Sequence, residues 1–578
     1  MVDQKQAVDL RDIRVFGLIG KRVDLTWGKN ILALDWEKDF LAPFTEKKSE
    51  PGFYVGLGKT LGGLTRFAAY AGDASLTALR RRVMDTLAGA QLADGYMGCY
   101  RPDSRITRLW DVHEQAYLLL ALVADWRYFH EQRSLRMACK LGDYLLANLP
   151  AGGDLAIEKS SHCVELMTIG LDRAMLALYQ ATQDRRYLDF CVNVQNLVDW
   201  NLDIVEGRHG KIEGHVYAYL TRCLAQIELF NISGNEKLLS QTKRALDYLL
   251  AKGGLVITGS CGQTECWHSN QAGAGDLGET CATAYLIRLC DKLLRLEGKG
   301  IYGDLMERAI YNALFSAQSP AGRQLRYYVP FEGKRVYWDR DTYCCPGNFR
   351  RIVSQLPEMI YYIQRNGLTI NLYTSSRLKT RLTSGLPLEV SQETDYPNSG
   401  NITLRLNPAK AEKFAVDLRI PAWCKNFKTK VNEKSVPAGV GASFLHLERE
   451  WKTGDTISVE MDMPWRLIRG FAGQVNRVAI MRGPMLFCLN PKINKNTIGA
   501  DLKKITIDPS TLQAPVNDQT VRADGLACRL KAWRDLANAG RPHDFDLVLT
   551  EFSDPDGEAA YFQASDLQAG VNDELLES

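Results

Sequence analysis

From about residue 57 to residue 315 the apolar positions recur at helical spacing, in pairs of segments joined by short polar turns. The turns are Ala71-Gly72-Asp73, Phe129-His130-Glu131-Gln132, Thr182-Gln183-Asp184, Ser233-Gly234-Asn235 and Glu297-Gly298-Lys299, roughly fifty to sixty residues apart. Leu or Tyr-Leu follows each at helical spacing, as in Arg186-Tyr187-Leu188 and Lys237-Leu238-Leu239. A period of this length predicts stacked helical hairpins. Hairpins longer than those of short-repeat solenoids point to a closed (α/α)6 toroid. Toroids of this kind commonly hold carbohydrate in a central cavity, which is analogy of fold and proves no function.

After about residue 366 the period becomes two. Leu368-Thr369-Ile370-Asn371-Leu372-Tyr373, Ile402-Thr403-Leu404-Arg405-Leu406, Ala415 to Ile420 and Ile457 to Met461 alternate apolar with polar. Asn398-Ser399-Gly400 and Thr453-Gly454-Asp455 supply turns between them. The pattern predicts an antiparallel β-sandwich. The expected organisation is multidomain α+β: a toroid over 1–365, a sandwich over 366–500, and a β-rich extension over 501–578 that ends in a frayed acidic tail.

At 578 residues the chain exceeds what one hydrophobic core usually supports, which agrees with that division. A net charge of +3 and the absence of any dense Lys/Arg run predict no nucleic-acid and no membrane partner. The substrate is therefore expected to be neutral or weakly charged. The 14 cysteines are scattered, several inside helical apolar patterns, which favours buried free thiols in a reducing compartment. Met1 to Gln6 has no apolar signal core, so the expected location is cytoplasmic, with the periplasm as the alternative had a leader been removed.

The chemistry concentrates in two segments. Gly278-Glu279-Thr280-Cys281 opens an apolar helix, and Asp341-Thr342-Tyr343-Cys344-Cys345-Pro346 is a loop ahead of a helix expected to begin near Arg350. Three thiols and one carboxylate suit Zn2+, since thiolates are soft donors and a carboxylate oxygen can complete a tetrahedron. A closed zinc knot that only staples two loops is the alternative, although adjacent cysteines are sterically awkward for one. Cys261 and Cys266 are conceivable further ligands, but Glu279, Cys281, Cys344 and Cys345 already make four. Ahead of Glu279 lies Gly262-Gln263-Thr264-Glu265-Cys266-Trp267-His268, where a carboxylate flanked by Cys and Trp could serve as a general acid in a poorly solvated pocket, or simply face solvent. His215 starts another repeat helix, and His113 follows Trp110-Asp111-Val112. With Asp94-Gly95-Tyr96, a turn between two helices, they could line a sugar pocket. No His-Glu-x-x-His, glycine-rich phosphate loop or Gly-x-Ser-x-Gly elbow is present.

These residues resemble glycoside hydrolase family 127, the zinc-dependent β-L-arabinofuranosidases. The resemblance lies in Gly-Glu-Thr-Cys at 278 to 281, Cys-Cys-Pro-x-Asn at 344 to 348 and Asp-Gly-Tyr at 94 to 96. It extends to Leu418 to Trp423 and Arg482 to Leu486. It implies an (α/α)6 barrel with β-sandwich domains. It also implies zinc on Glu279, Cys281, Cys344 and Cys345, with Cys344 as nucleophile, Glu265 as acid/base and His215 as a pocket histidine; His113, Asp94, Tyr96 and Trp267 are the further residues expected toward the sugar from the sequence itself. The sequence departs from the family pattern around Trp110 to Tyr117 and at Gln263 to Trp267, where the family often has Gly-Glu-Ala-Phe. Those departures bear on the sugar more than on the chemistry. A related subgroup is similar to hydrolases of unusual pectin branch sugars such as aceric acid.

The expected function is therefore a retaining exo-glycosidase that releases β-L-arabinofuranose, through a zinc-held cysteine, from a plant cell-wall oligosaccharide or glycoside. A homodimer is the assembly left open. The alternatives are an aceric-acid-type hydrolase, a non-catalytic carbohydrate-binding toroid with structural zinc, and an (α/α)6 polysaccharide lyase using Tyr and His.

Overall fold

The computed structural model of the chain describes residues 3–49, 53–106, 109–149, 168–437 and 443–576. Its N-terminal part is helical and its C-terminal part is rich in β-strands. Two compact units emerge, and neither is continuous in sequence.

The first unit is built mainly from Val23–Leu246 and Trp338–Leu356. The punctuation between its helices follows turn chemistry that the sequence announces. Gly72 ends the Leu57–Ala71 helix in the left-handed conformation, and the Asp73 carboxylate then accepts the Ser75 and Leu76 N–H groups to start Ala74–Ala90. Gln183 and Asp184 repeat this between Leu171–Thr182 and the next helix, as do Gly234 and Asn235 after Val216–Ser233. Alternate helices pack in series: Leu57–Ala71 on Leu109–Phe129, that on Leu171–Thr182, and that on Val216–Ser233. Cys344–Val353 returns to Leu57–Ala71. Their approach is close enough to exclude side chains in places. A Cβ on Gly58 would stand 2.2 Å from the Leu118 nitrogen, so only glycine fits there.

The second unit, Gln4–Arg22, Asp247–Tyr337 and Pro357–Ser578, holds the Thr280–Glu297 and Gly300–Arg308 helices and, among the described residues, three sheets of five, seven and eight strands. Alternation is clean where the sequence shows period two: Asn401–Pro408 buries every second side chain. Two features differ from the sequence expectation. The five- and eight-stranded sheets are mixed, since Gly367–Ile370 runs parallel to Glu412–Ile420 and Thr506–Asp508 parallel to Tyr561–Ala564, whereas the described pairings of the seven-stranded sheet are all antiparallel. Long crossovers between these strands permit parallel pairing. In addition, Lys5–Ala7 pairs with Tyr361–Gln364, and Ile13–Val15 with Ser376–Arg381, so the first residues join sheets rather than the helical region of 1–365.

The acidic C-terminal segment expected to fray is instead anchored. Arg308 contacts Asp573 at 2.6 Å and Glu574 at 2.5 Å, and Arg466 contacts Glu574 at 2.6 Å, with all four side chains largely buried. Buried guanidinium groups need counter-charges, and the tail supplies them. The described cysteines form no disulfide, and all but Cys139 are buried; Cys163 lies outside the described residues. Among the described residues no helix is long and apolar enough to cross a membrane.

Candidate active site

Glu279 is the N-cap of Thr280–Glu297, and Cys344 is the first residue of Cys344–Val353. This second helix starts six residues earlier than the sequence suggested, because Pro346 falls in the first turn, where a missing N–H costs nothing. Glu279 and the cysteine pair thus sit at helix N-termini, where the helix dipole favours anionic carboxylate and thiolate. One ligand atom each from Glu279, Cys281, Cys344 and Cys345 lies within 4.8 Å of all the others, and all four residues are buried. A zinc–sulfur bond of about 2.3 Å gives a tetrahedron with edges of roughly 3.8 Å, so the donor set and its spread fit one zinc ion. Cys261 and Cys266 stand outside this group. Burial, and then the nearby Glu279, pushes the Cys261 thiol up; burial and then Glu265 push Cys266 to about 11, so both are protonated thiols.

Tyr343, immediately before the cysteine pair, has φ 97°, a strained conformation for a tyrosine. Its N–H donates to the Val55 carbonyl at 3.0 Å. Its ring packs edge-on to Tyr54 and Trp110, and the Trp338 ring lies 5.9 Å from it. His113 belongs to the same cluster: its ring is 5.2 Å from Tyr54, 5.3 Å from Trp110 and 5.0 Å from Tyr117. His215 caps Val216–Ser233 through its imidazole and lies 6.0 Å from the Tyr217 ring, which is 6.4 Å from His113. The two histidines are therefore neighbours of one aromatic cluster. Glu114, one residue after His113, accepts the N–H groups of Val55, Gly56 and Gly58 at 3.2, 2.8 and 3.3 Å. Burial raises its pKa, and these donors oppose the shift.

Glu265 occupies the tip of a two-residue hairpin. Gln263 and Cys266 exchange backbone hydrogen bonds of 2.9 Å each, and Thr264 and Glu265 between them both have positive φ, the geometry of a type I′ turn. Two non-glycine residues held this way store backbone strain, and such strain gathers at functional sites. The Tyr327 hydroxyl donates to Glu265 Oε1.

The sequence pattern described as Beta-L-arabinofuranosidase, GH127 catalytic domain, matches residues 39–358, and that of the GH127 middle domain matches residues 367–463. The chain belongs to glycoside hydrolase family 127. As a GH127 protein it is a glycoside hydrolase. It is 25% identical over 493 residues to a non-reducing end β-L-arabinofuranosidase of Bifidobacterium longum subsp. longum, covering 73% of this chain and 72% of that one. Its fold is similar to a GH127 β-arabinofuranosidase with TM-score 0.83 at 21% identity, covering 99% of each chain. It is also similar to a GH127 β-L-arabinofuranosidase from Geobacillus stearothermophilus T6, with TM-score 0.80 at 22% identity, covering 96% of this chain and 100% of that one.

Three residues that the sequence assigned to the sugar have structural work in this GH127 protein. Tyr96 is fully buried; it donates to Asp111 Oδ1 at 2.9 Å and accepts the Tyr100 N–H at 3.0 Å. Asp94 accepts the Tyr96 N–H in a tight turn. Trp267 is fully buried with its ring edge-on to Tyr248. Sequence reasoning did not single out Tyr54, Tyr117 and Tyr217, whose rings lie near His113, or Lys59, whose ammonium faces those three rings. The available signal was a lysine and small residues inside the apolar helix Leu57–Ala71.

Proposed function

We propose that this GH127 protein is a retaining exo-glycosidase that removes a terminal β-L-arabinofuranosyl sugar. The observation that carries the proposal is the buried convergence of Glu279, Cys281, Cys344 and Cys345 within 4.8 Å, with the cysteine pair leading a helix. The arabinofuranose assignment leans on the Bifidobacterium relative, whose own name states that activity.

Glu279, Cys281, Cys344 and Cys345 are the residues that would hold zinc, and bound zinc would supply a positive charge that keeps a cysteine ionised at neutral pH. Cys344 attacks the anomeric carbon. Glu265 gives its proton to the departing oxygen and then takes one from water as the thioglycoside is hydrolysed. Two displacements at one carbon return the original configuration. His113 and His215 orient the sugar's hydroxyls from the aromatic cluster. We read the series of alternate helices as the inner ring of an (α/α)6 toroid, an interpretation supported by the return of Cys344–Val353 to Leu57–Ala71, and the sheets as sandwich layers.

A panel of 4-nitrophenyl furanosides and pyranosides, assayed with zinc content measured on the same sample, tests the proposal. Release from the β-L-arabinofuranoside, and not from pyranosides, is expected. Turnover confined to pyranosides would overturn it.

A further inference from the structure

Tyr343 holds φ 97° and ψ 177°, a region of backbone space that glycine enters freely and a tyrosine enters only when its surroundings force it. The residue that follows is Cys344. As the N-cap of Cys344–Val353, Tyr343 sets the direction in which the chain enters that helix, and its carbonyl accepts the Gly347 N–H at 3.4 Å. Whatever keeps Tyr343 in this conformation therefore also decides where the Cys344 thiol stands.

The side chain is fastened by rings, with Tyr54 at 5.6 Å and Trp110 at 5.9 Å. The backbone is fastened by a single peptide unit, the one between Val55 and Gly56. Its carbonyl accepts the Tyr343 N–H at 3.0 Å, and its own N–H donates to Glu114 Oε2 at 2.8 Å. A peptide unit is planar and stiff, so fixing its N–H fixes its carbonyl as well. A carboxylate on the N–H also polarises the unit and strengthens the bond that its carbonyl accepts. Glu114 grips the rest of the segment too: Oε2 accepts the Val55 N–H at 3.2 Å, and Oε1 accepts the Gly58 N–H at 3.3 Å.

Three N–H groups converging on one side chain need the lone pairs of a carboxylate. They come from the approach to Leu57–Ala71, a helix end that favours an anion, and the Lys59 charge on the same helix opposes the effect of burial on Glu114. Capping that helix would take the Gly58 N–H alone. Val55 and Gly56 lie ahead of the helix, and their N–H groups are the ones that connect Glu114 to Tyr343. Gly56 keeps the connection short: it has φ 79°, and a Cβ on it would stand 3.0 Å from the Tyr343 carbonyl oxygen.

We propose that Glu114 is a positioning residue for the nucleophile: through the Val55–Gly56 peptide it holds Tyr343 in its strained conformation and so sets the place of Cys344. The proposal rests on the reading of Cys344 as nucleophile and adds the residue that aims it.

The test reads 4-nitrophenyl β-L-arabinofuranoside turnover, zinc content and Tm in Glu114→Gln, Tyr343→Gly and the double variant. Glu114→Gln keeps one oxygen and puts a donor in place of the other, so it cannot hold all three N–H groups. Its kcat should fall about 10- to 100-fold, the scale of a small misplacement of a reacting atom, while KM stays within about threefold and zinc is retained. Glycine adopts φ 97° without an anchor, so in the Tyr343→Gly background the same change should cost no more than about threefold in kcat. Full kcat per folded molecule with a lowered Tm would mark Glu114 as a structural cap and overturn the proposal. So would equal losses in the two backgrounds, a kcat loss that follows zinc loss, or a raised KM at unchanged kcat, which points to the adjacent His113 instead. Should Glu114→Gln fail to fold, Gly56→Ala presses a methyl against the Tyr343 carbonyl with Glu114 intact. Its kcat should fall, and an unchanged kcat would equally overturn the proposal. Hydrogen exchange in the peptide spanning Tyr343 reads the connection without substrate: Glu114→Gln should quicken it, and unchanged exchange would remove the proposal. If the unaltered protein cleaves no furanoside, the furanosidase assignment falls, while quickened exchange in Glu114→Gln leaves the anchoring of Cys344 standing.

Discussion

The phenolic hydroxyl of Tyr327 donates to Oε1 of Glu265, fixing a carboxyl that already sits on a strained two-residue turn. Tyr327 is itself held, since its carbonyl accepts the N–H of Thr280, the residue after Glu279. The acid/base candidate and the start of the helix that Glu279 caps are thus tied through one residue. Glu265→Gln should slow a disaccharide substrate by roughly 10²- to 10⁴-fold but a 4-nitrophenyl glycoside far less, because an activated leaving group needs little protonation. Tyr327→Phe, which frees the carboxyl without removing it, should cost about 3- to 10-fold on the disaccharide. Equal losses on both substrate types for Glu265→Gln would remove Glu265 from this role.

Cys344 and Cys345 occupy the first two positions of one helix, but the nucleophile is expected to be Cys344. A sugar bearing a haloacetamide or epoxide should label Cys344 in peptide mapping, and Cys344→Ser should lose turnover while keeping its near-ultraviolet circular dichroism. Methanolysis should yield the methyl glycoside with the anomeric configuration of the substrate. Inverted product, or label on Cys345 alone, would overturn the assignment.

The convergence of Glu279, Cys281, Cys344 and Cys345 was legible in the sequence because few side chains suit a soft metal ion, and two short segments carried four of them. The helix ends were legible for a similar reason: Gly72-Asp73, Gln183-Asp184 and Gly234-Asn235 perform local chemistry that needs no knowledge of the rest of the chain. What escaped depends on partners distant in sequence. Lys59 in an apolar helix reads as a lysine reaching toward solvent, and only the approach of Tyr117, Tyr217 and Gly347 shows that it is enclosed. Tyr96 looked like a sugar-facing ring until Asp111 and the Tyr100 N–H took both functions of its hydroxyl. The three-residue strands at Lys5–Ala7 and Ile13–Val15 are too short to show a period.

Purified protein should contain about one zinc per chain, with metal–sulfur distances of about 2.3 Å by X-ray absorption. Prolonged dialysis against a strong chelator should abolish activity, and added zinc should restore it. Cys281→Ser and Glu279→Ala should each lower zinc occupancy, since either change removes one of four ligands that lie within 4.8 Å of one another. Full activity in protein shown by mass spectrometry to lack metal would sink the zinc assignment.

The tail makes a prediction about acid stability. Burial alone would raise the Glu574 pKa, but Arg308 and Arg466 outweigh it and hold the carboxyl well below its ordinary value. A group whose pKa is depressed in the folded state stabilises the protein fully above its unfolded value, near pH 4.5, and loses that contribution as pH falls through the folded value. Stability should therefore decline below about pH 4.5, through this group among others. Glu574→Gln removes the carboxylate that Arg466 contacts, leaves Arg308 with Asp573, and should cost about 3 kcal/mol at pH 7, as a buried pair broken on one side does. The variant should also lose stability less steeply than the unaltered protein between pH 5 and pH 3. Urea unfolding at pH 7, 5, 4 and 3 measures both effects. Identical slopes for the two proteins would show that Glu574 does not carry the acid dependence assigned to it.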